Sequence, residues 1–248
     1  MPMKPFLILQ LRPECEAADE EFQALLRRAA LSADKVERVR LDRVNLPQAL
    51  DLRAYSGVIV GGGPGCVSDP PEIKTPVEAR IEDQVLRLMP RIVDTGTPFL
   101  GCCYGIGILG AHLGAPVSKD YHGEPIGPIT CTRRPESADD PLLEGVPQQF
   151  TALVGHKEAL DALPQGATHL LEGDRCPIQM LRYGDRIYAT QFHPEADGAS
   201  FALRIRVYRA KGYFHPDEAD SLTARCADVH TDMSGRILAN FARHFARD

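Results

Sequence analysis

The stretch "PFLGCCYGIGIL", residues 98–109, joins a short apolar run to a glycine-rich one and holds two adjacent cysteines. Its pattern predicts a buried strand that turns directly into a helix. A nucleophile in such a strained turn needs small residues two positions before and after it, because neighbouring backbone comes close there. Only Cys103 meets this requirement, with Gly101 and Gly105 at those positions. We therefore predict that Cys103 is a nucleophile and that Cys102 points into packing.

The predicted turn also bears on the protonation of the sulfur. It places Cys103 at the start of a helix over residues 104–113, where backbone N–H groups and the helix dipole favour a thiolate. The alternative for this segment is a tightly packed joint with two buried thiols. Short glycine patterns also occur by chance, so the segment alone leaves both interpretations open.

Before this joint, short buried strands alternate with helices along the chain. Such alternation is typical of a parallel sheet covered by helices on both faces. The predicted strands are 6–11, 36–41, 57–62 and 98–101, and the predicted helices between them are 16–30 and 77–88.

After residue 113 the chain is rich in glycine and proline, and its strand candidates suggest hairpins. These candidates are 126–132, 150–155, 176–184 and 186–192, with a hairpin turn at 183–186. The sequence therefore predicts an α/β fold: a three-layer, open, mostly parallel, flavodoxin-like sheet with helices on both faces and an antiparallel extension.

A C-terminal helical tail completes the predicted architecture. The chain has 248 residues, at the upper end of one domain. We expect the main domain to span residues 1–198, and the helical extension, residues 199–248, to pack on it. An apolar stripe of Ile237, Leu238 and Phe241 predicts core packing, with a partner interface as the alternative.

Composition narrows the classes of function. The formal charge of −6 argues against a nucleic-acid partner, and no apolar run is long enough for a membrane span or a secretory signal. We expect a cytoplasmic protein. A basic stretch, Arg204 to Lys211, predicts the solvated side of a helix. The seven scattered cysteines favour neither disulfides nor a zinc site, so we expect reduced thiols and no metal.

A cysteine nucleophile needs a base, and the base needs a group that orients it. His193, in "IYATQFHPEA", ends a predicted strand and is the best-placed histidine. Pro194 disfavours a helical conformation for His193, so His193 and Glu195 should project to one side of an extended segment. Glu195 could then hold the imidazole, although a solvated charge in a surface loop is the alternative.

The third candidate feature is the loop in "VIVGGGPG", residues 58–65. Glycines after a buried strand let backbone N–H groups approach a ligand. No Gly-Lys-Ser/Thr follows, so a nucleotide P-loop is disfavoured. We predict an oxyanion hole from the N–H groups of Gly63 and Tyr104, with Gly62 beside the substrate; a plain turn is the alternative.

The order of these parts resembles the class I (triad) glutamine amidotransferases, most nearly the amidotransferase domain of GMP synthase. The matching motifs are "GGGP", "PFLGCCYGIGIL", "YHGEPIG" (121–127), "VGHKEAL" (154–160) and "IYATQFHPE". The resemblance implies that Cys103, His193 and Glu195 form a Cys-His-Glu triad. Such enzymes hydrolyse the side-chain amide of glutamine and pass ammonia to a synthetase.

Two substitutions depart from the family pattern near the expected substrate. The family usually has Gln at the position of Gly107, where it helps to hold the amino acid part of the substrate. Gly155 replaces a Ser that commonly precedes the family's His, here His156, a candidate substrate contact that an ordinary structural His would also explain. Both changes predict fewer substrate contacts.

These observations leave three hypotheses. The first is a stand-alone glutamine amidotransferase-like hydrolase that needs no cofactor and releases ammonia to a separate acceptor protein. We expect a separate acceptor because the roughly fifty residues after His193 leave no room for a synthetase domain. The second keeps the triad but takes a γ-glutamyl conjugate or related amide, since the vacant position at Gly107 could make room for another group. The third is a catalytically idle subunit that binds a metabolite or regulates a partner.

Overall fold

The computed structural model describes residues 3–248 of the chain. Within them, nine strands form one sheet in the order β2-β1-β3-β4-β11-β10-β9-β6-β7, and β5 pairs with β8. The strands are β1 Phe6–Gln10, β2 Val36–Arg40, β3 Gly57–Val60, β4 Phe99–Cys102, β5 Val117–Ser118, β6 Glu124–Arg133, β7 Gln149–His156, β8 Ala159–Leu160, β9 Ala167–Glu172, β10 Met180–Tyr183 and β11 Ile187–Thr190. The helices are α1 Cys15–Ala29, α2 Pro76–Thr95, α3 Tyr104–His112, α4 Gly198–Tyr208, α5 Ala219–Ala227 and α6 Asp232–Phe245.

The sheet has a parallel and an antiparallel half, as predicted. Strands β2, β1, β3, β4 and β11 run parallel, and β10, β9, β6 and β7 follow in antiparallel pairs. β11 belongs to both halves because it pairs in parallel with β4 and antiparallel with β10. In the β4–β11 register, Thr190 lies opposite Cys102. The chain therefore leaves both strands at the same edge of the sheet, just before Cys103 and His193.

Two apolar cores lie on opposite faces of the sheet. Alternate residues of a strand point to opposite faces, and in β1 Ile8 belongs to one core and Leu7 to the other. α1 and α6 supply the first core, and α2 and α3 supply the second. This confirms the predicted three-layer α/β arrangement.

The last three helices pack on the same sheet. α4 and α5 form a smaller core with Leu153 of β7, while α6 places Phe241 6.0 Å from Phe6 of β1, between ring centroids. These contacts join residues on both sides of position 198. The division of the chain at that position stays a prediction.

Three local predictions differ from the structure. α2 extends to Thr95 and includes Pro90, whereas the apolar pattern predicts its end at residue 88. The sequence does not predict strand β9, in which half-buried and buried residues do not alternate. Residues 193–196 form a turn, with the Ala196 N–H donating to the His193 carbonyl oxygen, so the predicted extended segment there is wrong. Among the helices of residues 3–248, none is long and apolar enough to cross a membrane.

Candidate active site

Cys103 is the single residue between β4 and α3. Its φ of +53° and ψ of −95° are rare for a residue other than glycine. Its N–H donates to the carbonyl oxygen of Thr190 in β11 at 2.8 Å, which ties the turn to the neighbouring strand. The backbone here has the strain expected of a nucleophile elbow. Cys102, by contrast, is fully buried in the core shared with α1 and α6.

The two flanking glycines are not equivalent. A Cβ at Gly101 would lie 2.9 Å from the carbonyl carbon and oxygen of Gly105, closer than packing allows. A Cβ at Gly105 would meet its nearest neighbour, the Val60 carbonyl oxygen, at an ordinary 3.7 Å. Position 101 therefore requires glycine itself, whereas a methyl group also fits at position 105.

His193 is held by two charged partners. Its Nδ1 lies 2.9 Å from Oε1 of Glu195, and Nη1 of Arg204 lies 3.0 Å from the same oxygen. We assign the ring proton to Nδ1, because a carboxylate accepts hydrogen bonds and cannot donate. This tautomer leaves a lone pair on Nε2, and His193 lines the same pocket as Cys103. The tautomer is therefore the one that a general base requires.

Burial and charge set the protonation of this pair. Burial lowers the pKa of His193; the Glu195 carboxylate opposes this, and the cations of Arg204 and Arg12 add to the lowering. Burial acts to raise the pKa of Glu195, but His193 and Arg204 outweigh it and bring that pKa well below its ordinary value. At neutral pH the pair is thus a neutral imidazole beside a carboxylate.

The Cys103 sulfur is less acidic than the sequence suggested. Burial raises the pKa of Cys103 to about 12, with Arg12 opposing and Glu195 adding to the shift. The prediction of a thiolate considered the helix N-terminus and omitted this burial, which dominates here. The resting group is a thiol, and an attack by sulfur requires proton transfer to a base.

The glycine loop lies against both the base and the elbow. A Cβ at Gly62 would lie 2.6 Å from Cε1 of His193, so glycine is required there for the ring to fit. A Cβ at Gly63 would lie 3.1 Å from Cδ1 of Tyr104, so the two proposed oxyanion donors belong to residues in close contact. Gly63 also lines the pocket with Cys103. An oxyanion hole at these two N–H groups stays a prediction.

Gly107 lies in the wall of this pocket, but the space beside it is filled. A Cβ at Gly107 would lie 2.8 Å from Oε1 of Glu158, a buried carboxylate that also lines the pocket. The prediction of a vacant position is therefore wrong. Where the family has the Gln side chain, this chain places a carboxylate from a different segment.

Neighbouring residues fill the space beside Gly155 and engage the ring of His156. A Cβ at Gly155 would lie 2.8 Å from Cγ1 of Ile126, so a serine would clash there. The ring nitrogens of His156 lie 2.9 Å from the Glu158 carbonyl oxygen and 2.9 Å from Oε2 of Glu124. Both partners accept hydrogen bonds, so His156 lines the pocket with its ring nitrogens already engaged. Its contact with a substrate stays a prediction.

Among residues 3–248, the structure brings together one group of possible metal ligands: Glu124, His156 and Cys176, whose ligand atoms lie within 4.8 Å of one another. Hydrogen bonds account for this cluster. Glu124 Oε2 accepts from His156 and, at 2.8 Å, from Nε2 of Gln179. The arrangement is that of a buried polar network that fixes the start of β6 beside the end of β7.

Sequence reasoning missed several residues of the site. Arg204 was predicted to be solvated, and this is wrong: it is 5% exposed and contacts Glu195. The spacing held a signal, since Phe201 and Tyr208 lie three and four positions away and share the buried helix face. Arg12, Tyr213 and Glu158 also line the site from three other segments.

Comparison with known proteins identifies the family of the chain. Residues 17–205 match the family described as Glutamine amidotransferase class-I. The chain belongs to the class-I glutamine amidotransferase family. Every candidate site residue of the chain except Arg12 and Tyr213 lies inside the matched range.

Relatives of the chain include two glutamine-hydrolysing GMP synthases. That of Lactobacillus delbrueckii is 31% identical over 153 residues, which are 61% of this chain and 26% of the relative. That of Thermomicrobium roseum is 31% identical over 147 residues, 59% of this chain and 24% of the relative. The chain thus matches only about a quarter of these proteins.

Solved structures share the fold over nearly the whole chain. A glutamine amidotransferase from Thermotoga maritima has a TM-score of 0.76 at 20% identity, covering 98% of each chain. One from Methylobacillus flagellatus has a TM-score of 0.73 at 19% identity, covering 99% of this chain and 96% of the other. Both include the helices after residue 198 in the common fold.

Proposed function

We propose that this protein hydrolyses the side-chain amide of glutamine with a Cys103-His193-Glu195 triad. One observation carries the proposal: Cys103 occupies a strained turn whose pocket also contains His193, with the ring held 2.9 Å from Glu195. Family membership supports the substrate class.

The reaction begins when the Cys103 sulfur attacks the side-chain carbonyl carbon. His193 takes the thiol proton on Nε2 as the carbon–sulfur bond forms. The N–H groups of Gly63 and Tyr104 stabilise the oxyanion, and each such donor is worth about 10² to 10³ in rate. His193 then gives its proton to the departing nitrogen, which leaves as ammonia. A γ-glutamyl thioester remains on Cys103.

Water completes the cycle at the same base. His193 takes one proton from water as the oxygen attacks the thioester carbon. The carbon–sulfur bond breaks, the thiol regains its proton from His193, and glutamate leaves. The reaction needs no oxidant or cofactor. A separate synthetase would be the acceptor for the ammonia, a suggestion supported by the glutamine-hydrolysing GMP synthases among the relatives.

The two adjacent cysteines provide the test. We expect Cys103→Ala to abolish the release of ammonia and glutamate from glutamine, because Cys103 is the residue that occupies the turn between β4 and α3. Cys102→Ala removes a neighbouring buried thiol and should keep most of the activity. Activity that survives in Cys103→Ala but is lost in Cys102→Ala would contradict the assignment. Wild-type protein that is inert toward both glutamine and a glutamine-mimicking electrophile would favour an idle, regulatory subunit.

A second candidate function keeps the triad and replaces glutamine by a larger γ-glutamyl amide. The pocket continues on the His193 side of Cys103, where Phe201, Ile205 and Tyr208 line it together with Arg12 and Arg204. The leaving group departs toward the base, so this lining would contact an amine larger than ammonia. A panel of γ-glutamyl amides decides: kcat/KM highest for free glutamine would contradict this candidate.

A further inference from the structure

The side chain of Tyr104 lies along the glycine loop that follows β3. A Cβ at Gly65 would lie 2.8 Å from Oη of Tyr104 and 2.9 Å from its Cε1 and Cζ, and a Cβ at Gly63 would lie 3.1 Å from its Cδ1. The ring therefore packs directly against both glycines. Because Tyr104 begins α3, directly after Cys103, its ring joins the glycine loop to the elbow.

A carboxylate on α2 holds the far end of that ring. The hydroxyl of Tyr104, a buried residue, donates to Oε2 of Glu82 at 2.6 Å. Burial and the Glu82 carboxylate raise the pKa of Tyr104, so the hydroxyl keeps its proton and remains the donor. A hydrogen bond to a carboxylate is stronger than one between neutral groups. The bond to Glu82 therefore gives the ring one defined position.

Lys74 joins Glu82 to the same loop. Its Nζ donates to Oε1 and Oε2 of Glu82 at 2.6 and 2.8 Å, and to the carbonyl oxygen of Val67 at 3.2 Å. The side chains of Lys74 and Glu82 are only 10% and 12% exposed, so salt screens this ion pair little. The loop is thus held at Gly63 and Gly65 by the ring, and at Val67 by the ammonium group.

We propose that Glu82 is a positioning residue for the oxyanion hole and acts through the ring of Tyr104. The inference rests on the proposed function, since it takes the N–H groups of Gly63 and Tyr104 as the two donors. One donor belongs to the residue that carries the ring, and the other belongs to the loop against which the ring packs. Both must be aimed at one oxygen, and a displacement of about 1 Å can cost about 10² in rate. The bond to Glu82 therefore fixes the two donors relative to each other.

Removal of the hydroxyl alone gives the first test. Tyr104→Phe keeps the ring and the backbone N–H, and it removes the bond to Glu82. We expect kcat for glutamine hydrolysis to fall about tenfold to hundredfold while KM changes little, because the loss concerns the transition state. Alkylation of Cys103 by iodoacetamide forms no oxyanion and should proceed at the wild-type rate.

Tyr55→Phe is the matched control. The Tyr55 hydroxyl donates to Oε2 of Glu37 at 2.7 Å, so this variant loses a tyrosine–glutamate bond of nearly the same length. Neither Tyr55 nor Glu37 lines the pocket around Cys103, and the control should keep the wild-type kcat. An equal fall of kcat in the two variants, or an unchanged kcat in Tyr104→Phe, would overturn the proposal.

Substitution of Glu82 separates positioning from folding. Glutamine at position 82 still offers an oxygen to the Tyr104 hydroxyl, whereas alanine does not. We expect Glu82→Gln to keep a higher kcat than Glu82→Ala. In Glu82→Ala, hydrogen exchange should become faster for the amides of residues 61–67. Equal kcat values for the two variants, or exchange that rises along the whole chain, would assign Glu82 a general structural role and overturn the proposal.

Hydrogen exchange also keeps this inference distinct from the proposed function. If wild-type protein releases no ammonia while exchange in residues 61–67 depends on Glu82, the hydrolase proposal fails and the link between Glu82 and the loop stands. If ammonia is released and neither kcat nor exchange depends on Glu82, the hydrolase proposal stands and the positioning role fails.

Discussion

At the residue scale, Arg204 affects the charge states of His193, the candidate base, and of Glu195. Nη1 of Arg204 lies 3.0 Å from Oε1 of Glu195 and 3.2 Å from Nδ1 of His193. It therefore favours the carboxylate and disfavours the imidazolium. Burial is the largest cause that lowers the pKa of His193, and the charge of Arg204 adds to that lowering while the Glu195 carboxylate opposes it.

Replacing Arg204 with methionine should change the pH dependence of hydrolysis. Arg204 lowers the pKa of His193, so its removal raises that pKa. The neutral ring is the active base, and the acidic limb of the kcat/KM profile should therefore move to higher pH. Arg206→Met is the matched control on the same helix, since Arg206 is exposed and 66% of its side chain is accessible. An acidic limb that stays in place or moves to lower pH in Arg204→Met would contradict this role.

At the element scale, the joint between β4 and α3 depends on one glycine more than on the other. A Cβ at Gly101 would lie too close to the backbone of Gly105, whereas the space beside Gly105 accommodates a methyl group. The motif glycine–x–cysteine–x–glycine is symmetric in sequence. Its physical requirement is asymmetric because the strand residue packs under the first turn of the helix.

Alanine at each glycine tests this asymmetry. Gly101→Ala should destabilise the protein by about 1–3 kcal/mol, the usual cost of overpacking a tight site, and should disturb the turn at Cys103. Gly105→Ala lies in α3 and should change stability by less, because alanine favours a helix and meets no close atom. Urea denaturation measures both changes. Equal destabilisation by the two variants would contradict the asymmetry.

At the scale of the whole molecule, the C-terminal helices belong to the structure that supports the site. α4 carries Arg204, and α6 places Phe241 and Leu238 in the core of α1 and β1. The helices after residue 198 thus contribute a charge beside Glu195 and apolar area to the sheet. The stripe predicted for α6 faces this core, which favours packing over a partner interface.

Phe241→Ala measures the contribution of α6 to global stability. Phe241 is fully buried and contacts Phe6 and Phe245 with ring centroids 6.0 Å and 5.1 Å away. We expect a loss of about 3–5 kcal/mol, typical of a buried phenylalanine. Arg243→Ala, on the exposed side of α6, should cost less than about 1 kcal/mol, since exposed ion pairs contribute little. A cooperative urea transition with an unchanged midpoint in Phe241→Ala would mean that α6 is not part of the folding unit.

The sequence by itself determined most of the local elements and indicated the candidate reacting groups. Alternating apolar runs and helical periods predict the α/β sheet, because burial of one face imposes those periods on any chain. Spacing around Cys103 selects one sulfur of two, because turn geometry is local. The adjacency of His193 and Glu195 is likewise local, and the structure keeps the two side chains in contact even though the backbone between them turns.

The tertiary structure alone decided what surrounds those groups. Arg204 and Glu158 reach the site from segments far from Cys103 in sequence, and no local pattern states which distant side chain fills a given space. The protonation of Cys103 also needed the fold, because burial raises the pKa of the thiol to about 12 and is a property of the packed protein. The sequence therefore indicates the candidate groups, and the packing of distant segments sets the charge states and the surroundings of those groups.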